Sequence, residues 1–277
     1  MTDPKDLEKL RTEEFIVHDL ELVKNQAKWK KYTKVIANAM SSISWIGMFL
    51  NAKDAFQGDK KQGDVNDLYE QWFKVHKIKI QHLLGSLDEM AGRLESIPDA
   101  FDSRIESDEY LTLVRRAFKS WDDAETIEKR QYVVNLISNA AATNICPDDL
   151  IRLYNDWLDQ YHEIHFKIIR AIYQNPGITR LGIWQSFSDE IPRDDSAEAD
   201  LFRKLISDLQ LGRVIRNHRP TNYQGQFIKQ STRGKSRNSS GTIESAFENT
   251  KQIELTELGS QFVHYTMNEV VKRIENT

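Results

Sequence analysis

Ile253-Glu254-Leu255-Thr256-Glu257-Leu258-Gly259 reads as a short strand that passes directly into a helix, and the segments on either side give it its context. Downstream, Phe262, Val263, Tyr265 and Val270 supply the apolar positions of a closing helix. Upstream, across a long polar insertion, Arg213-Val214-Ile215-Arg216 is strand-like and follows Gly212. That glycine ends a helix predicted over 197–211, with Leu201, Leu205, Leu209 and Leu211 as its apolar positions. A short helix is predicted over 179–187. Before it, an apolar-periodic helix runs over 161–173 and is stopped by Asn175-Pro176-Gly177. The order is therefore helix, short helix, helix, strand, insertion, strand, helix.

This order resembles the winged helix-turn-helix family, including its habit of placing Leu255-Thr256-Glu257-Leu258-Gly259 where the returning strand of the wing enters the last helix. The resemblance covers roughly residues 160–277. It implies a fold more strongly than a function. The fold expected for the whole chain is mainly α. A helical bundle over residues 1–148 is joined by a long helix to a winged-helix (α+β) domain over 149–277, whose enlarged basic wing spans about 213–252.

Composition bounds the rest. A chain of 277 residues has room for about two domains, and 39% hydrophobic with 29% charged residues is ordinary for a soluble protein. The net charge of −4 argues against indiscriminate binding of nucleic acid over the whole surface, so any such contact must come from a local patch. Cys146 is the single cysteine and no secretory leader pattern opens the chain, so a reducing, cytoplasmic location is expected.

Helices are predicted through most of the first half. Phe15, Ile16, Leu20, Leu22 and Val23 open one, and the polar loop 57–64 follows. A long helix then runs from a cap at Asn66 or Asp67 to about Ile97, where Pro98 stops it. Ser107-Asp108-Glu109 starts another through Trp121, and a further one holds Ile127, Val133, Val134, Leu136 and Ile137. Pro147 suits the first position of the next, with Asp148 and Asp149 in its first turn. There Leu150, Tyr154, Trp157, Tyr161, Ile164 and Ile168 alternate in spacings of four and three, which predicts one unbroken helix joining the two halves rigidly.

Residues 35–52 carry no charge, a length close to the roughly 18 residues at which a membrane helix becomes a candidate. Two asparagines, three serines and a glycine dilute it. A buried helix or helical hairpin is the expectation, with a releasable membrane segment as the alternative.

The richest chemistry lies in the insertion. Arg213, Arg216, Arg219, Lys229, Arg233, Lys235 and Arg237 stand there without one acid between residues 209 and 243, and His218, Tyr223 and Phe227 are interleaved. This composition suits contact with phosphates. On the preceding helix, Arg203 and Lys204 complete the set of candidate nucleic-acid-binding residues. The start of that helix opposes base-specific reading of a groove, because Asp194, Asp195, Glu198 and Asp200 would face phosphates.

Asp159, His162, Glu163 and His165 are close in sequence but lack the spacing of a zinc protease helix, and a solvated or hydrogen-bonded helix face is expected there. Phosphate-loop, dinucleotide-binding and nucleophile-elbow motifs are missing. The chain is expected to be no enzyme, with no catalytic residue, metal or cofactor.

The function expected is nucleic-acid binding through the basic wing, with DNA ahead of RNA, as a regulator or as a subunit of a larger bacterial assembly. A protein partner or a second copy of the chain is also considered, and a membrane is not expected. The alternative is an interaction or effector protein of an anti-phage, abortive-infection system. It rests on the stretch from Tyr110 to Trp184, which resembles helical proteins encoded in such loci.

Overall fold

Tyr110, Leu113, Val114, Ala117, Phe118 and Trp121 recur at intervals of three and four, and all are buried, which makes the helix Asp108–Asp123 the centre of the first half of the chain. The computed structural model describes residues 31–43, 45–46, 63–97, 102–142, 146–220, 222–224, 226–228 and 245–267. The chain divides into two compact units, Met1–Gln160 and Tyr161–Thr277.

The described helices of the first unit are α1 (Thr33–Ser41), α2 (Gly63–Glu95), α3 (Asp102–Ile105), α4 (Asp108–Asp123), α5 (Ile127–Ala142) and α6 (Asp148–Gln160). Ser107 caps α4 by accepting from the Tyr110 N–H at 3.3 Å, and Asp108 and Glu109 stand at the positive end of its dipole. Around α4 pack α1, α5 and α6, while α2 lies on α5. Two of the large side chains at these contacts have partnered polar atoms: the Tyr110 hydroxyl donates to the Ile137 carbonyl at 3.0 Å, and Trp121 Nε1 donates to Ser86 Oγ at 3.1 Å. The helix predicted to begin at Asn66 or Asp67 begins at Gly63, inside the stretch read as a loop.

The uncharged stretch belongs to the core over its described part. Val35, Ile36, Ala39, Ile43 and Trp45 are buried, and Trp45 Nε1 donates to Asp122 Oδ1 at 2.7 Å. Among the described residues no helix is long and apolar enough to cross a membrane. Residues 44 and 47–52 of that stretch, and the helix expected over 15–23, lie outside the described residues.

The second unit holds α7 (Glu163–Gln174), α8 (Arg180–Gln185), α9 (Ala197–Leu211), β1 (Ile215–Asn217), β2 (Ile253–Leu255) and α10 (Glu257–Thr266). β1 and β2 are antiparallel, pairing Ile215 with Leu255, Arg216 with Glu254 and Asn217 with Ile253. The other edge of β2 receives the segment before α8: the Ile253 N–H donates to the Ile178 carbonyl at 2.8 Å, and Thr179 bridges to Gln252. Thr179, Ser196 and Thr256 cap α8, α9 and α10 in turn, each accepting from an N–H three residues on. In Leu255–Gly259 the glycine is needed for close approach, since a Cβ at Gly259 would overlap the Val214 carbonyl.

Two expectations are corrected. The single helix predicted from Leu150 through Ile168 is two, α6 and α7, with Tyr161 and His162 between them outside any helix. His162 takes an extended backbone (φ −85°, ψ 166°), and its N–H donates to the His165 ring at 3.1 Å, so a side chain replaces the helical hydrogen bond. The helix Asp148–Gln160 lies in the first compact unit, which ends at Gln160. On α9, Leu201 and Leu211 are exposed; its buried face is Ala199, Phe202, Leu205, Ile206 and Leu209.

Candidate nucleic-acid interface

Five of the nine candidate residues have described side chains, and they fall into two groups. Arg203 and Lys204 on α9 are occupied. Arg203 donates to Asp194 Oδ1 at 3.0 Å, to the Asp194 carbonyl at 2.8 Å and to Asp200 at 2.9 Å, and Lys204 pairs with Asp208. Their charge is neutralised by carboxylates of the same helix and of the turn that leads into it.

Asp194 does more than pair with Arg203. Its Oδ1 accepts from the Ala246 N–H at 2.9 Å and from Ser245 Oγ at 3.0 Å, so the end of the insertion is tied to the start of α9. Those two hydrogen bonds, first the one from Ala246, hold its carboxyl below the usual range. Just beyond, Phe247 stacks on Phe202 at 5.7 Å and meets the edge of Trp184 at 5.1 Å. The acidic stretch read as hostile to phosphate is thus partly structural, and the sequence signal for that role is thin, because Asp194 and Ala246 lie 52 positions apart.

Arg213, Arg216 and Arg219 form the second group, at the base of the insertion. Arg216 donates from Nε to Glu254 at 2.6 Å, directly across the β1–β2 pair, and His218 Nδ1 lies 2.6 Å from the other oxygen of Glu254. Burial pushes the Glu254 carboxyl up, and the hydrogen bonds and charges of His218 and Arg216 outweigh it and leave it lowered. Arg216 also sits over the ring of Phe227, 5.0 Å from its centroid.

The side chains of Arg213 and Arg219 are exposed and have no partner among the described residues. Arg213 has a positive φ of 60°, the conformation that a helix C-terminus normally gives to glycine. Gly212, one position earlier, has φ −68° and is required for another reason, since a Cβ there would overlap the Tyr161 hydroxyl. The left-handed residue is consequently an arginine, at a backbone cost of order 1–2 kcal/mol. Lys229, Arg233, Lys235 and Arg237 lie outside the described residues.

Between the two strands, the described residues 220, 222–224 and 226–228 are joined by local hydrogen bonds. The Ile228 N–H donates to the Pro220 carbonyl at 2.9 Å, and the Asn222 N–H to the Gln226 carbonyl at 2.9 Å. Asn222 Oδ1 accepts from the N–H groups of Gln224 (3.0 Å) and Gln226 (2.9 Å). In this segment Tyr223 is 96% exposed, and Phe227 is 49% exposed.

Asp159 of the histidine–carboxylate cluster lies in the first unit, and His162, Glu163 and His165 lie in the second. Asp159 accepts from Ser120 Oγ at 3.0 Å within the first unit, and His165 is buried with its Nδ1 committed to His162. Among the described residues there is no group of three or more His, Cys, Asp or Glu placed to hold a metal ion.

No protein-family model, curated protein or solved structure matches this chain.

Proposed function

We propose that the second unit is a winged-helix nucleic-acid-binding module that contacts phosphates through its basic insertion, acting as a regulator or as a subunit of a larger assembly. The element order supports it: α7, an extended segment paired with β2, α8, α9, β1, the insertion, β2 and α10. The observation that carries it is Arg213, an exposed arginine with no partner among the described residues, held in a conformation that glycine would adopt with less strain. In the sequence four further cations, Lys229, Arg233, Lys235 and Arg237, follow without an acid up to residue 243.

Contact is led by the insertion and not by α9, whose cations are already paired and whose first turn is acidic. The test is binding of the full chain to labelled DNA and RNA over a range of salt. Replacing Arg233, Lys235 and Arg237 together by alanine weakens binding for all sequences. It also flattens the plot of log K against log salt by up to about 0.9 for each phosphate no longer neutralised. Unchanged affinity with unchanged slope overturns the reading.

A protein partner is the second reading, and Leu201 and Leu211 on the outer side of α9 favour it, being 53% and 83% exposed. The effector form of that reading needs residues 35–52 to be released, and burial of Val35, Ile36, Ala39, Ile43 and Trp45 opposes this.

A further inference from the structure

The segment 220–228 has a property that phosphate contact alone does not use. Two aromatic rings are exposed on it, and its described residues are tied to one another by local hydrogen bonds. Asn222 makes four hydrogen bonds within the segment, counting Nδ2 to Gln226 Oε1 at 3.0 Å, so Tyr223 is displayed without any packing of its own ring. Phe227 lies under the Arg216 guanidinium and still keeps half its surface. Arg213, His218 and Arg219 precede them in the chain, and Glu254 is ion-paired with Arg216 and lies 2.6 Å from His218 Nδ1.

We infer that the occupant of this surface is a single-stranded polynucleotide, whose bases stack on Tyr223 and Phe227 while Arg213 and Arg219, the cations of the described insertion base without a described partner, follow its phosphates. The inference rests on the nucleic-acid reading above and narrows it. In a duplex the faces of the bases are covered by their neighbours and only edges and phosphates are offered. An exposed ring gains little there. An unpaired strand offers the faces, and alternating aromatic and cationic side chains are the usual means of holding it without regard to sequence. The α9 entry, which a duplex reader would insert in the major groove, is acidic, which points the same way.

The experiment uses the full chain and three labelled probes of one mixed sequence of about 12 nucleotides: single-stranded DNA, single-stranded RNA and the DNA duplex, at one fixed salt concentration. Expected is at least about tenfold tighter binding of a single strand than of the duplex, with the stronger of the two strands identifying the sugar. Tyr223→Ala lowers single-strand affinity by about tenfold and leaves duplex affinity unchanged, and Tyr223→Phe keeps the ring and the affinity. Phe227→Ala acts in the same direction, and Tyr223, being almost wholly exposed, keeps the test free of any folding defect. Equal or tighter duplex binding, or no effect of Tyr223→Ala, overturns this inference and leaves the phosphate reading standing. Failure of all three probes to bind overturns both.

Discussion

His165 Nδ1 accepts a hydrogen bond from the backbone N–H of His162 at 3.1 Å, and this one contact both starts α7 and fixes the tautomer of the imidazole. With Nδ1 accepting, the ring proton is assigned to Nε2. Nε2 is buried and faces Asp208 Oδ2 at 3.6 Å, too far for a hydrogen bond, while Tyr161 stacks on the ring and Lys204 holds the other oxygen of Asp208. Burial pushes the imidazole below its ordinary value, with Asp208 pulling the other way. The unfolded histidine therefore takes up its proton first, near its reference pKa of about 6.5. His165 thus contributes stability that is full above that pH and is lost as the pH falls below it. Urea unfolding of the wild type should show this decline between neutral and mildly acidic pH. His165→Gln, which can still accept from His162, should show a shallower one. Parallel pH profiles for the two would refute the assignment.

Gly212 and the Tyr161 hydroxyl occupy adjoining space, so Gly212→Ala is expected to cost about 1–3 kcal/mol by overpacking. The chief obstacle is the hydroxyl oxygen: the Asp208 carbonyl would lie at 3.3 Å, a tight contact, and Cζ at 3.5 Å, an ordinary one. In a Tyr161→Phe background most of the cost should disappear, and a double-mutant cycle by thermal or urea unfolding measures the coupling. At Gly259 no such rescue exists, because the obstacle is the Val214 backbone carbonyl. If the two glycine substitutions cost the same in every background, the packing described for Gly212 is wrong.

Ile43 is 1% exposed, in the uncharged stretch that follows α1. A lysine there places an unpaired charge in the core and should destabilise the first unit by more than about 3 kcal/mol. Ile46 is only partly buried, so Ile46→Lys should cost clearly less. Denaturation curves of the two variants decide this, and a stable Ile43→Lys protein would contradict the burial of the segment.

Local signals and long-range packing were legible to very different degrees. Ser107, Thr179–Phe187, 197–211 and 253–259 could be read because caps, apolar spacing and a terminal glycine act within one or two turns. The break at Tyr161–His162 could not, since the spacing of Leu150, Tyr154, Trp157, Tyr161, Ile164 and Ile168 continues smoothly across it and the interruption is made by one imidazole. Leu201 and Leu211 misled for a related reason: leucine is apolar on either face of a helix, and the register of α9 is set by Phe202 packing on Phe247, which lies beyond the whole insertion. Among the site residues, the cations stand out in the sequence as a group, but nothing in it separates spent from unspent ones. That distinction depends on Asp194, Asp208 and Glu254 being brought to Arg203, Lys204 and Arg216.

The difference between spent and unspent cations leads to the sharpest mutational contrast. Arg213→Gly removes an exposed charge with no described partner and at the same time relieves a left-handed residue. Relative to arginine, glycine regains the backbone strain and gives back part of it as chain entropy, for a net gain of up to about 1 kcal/mol. The variant should therefore unfold at higher urea or temperature while binding nucleic acid more weakly, with a smaller salt slope. Lys204→Ala, by contrast, frees Asp208 and removes no available cation, so its binding curve should shift little and in a salt-dependent way. A gain in stability with a loss of affinity at Arg213 is what an arginine retained for contact requires. Loss of stability in Arg213→Gly, or undiminished binding, would mean that the side chain is kept for a structural reason instead.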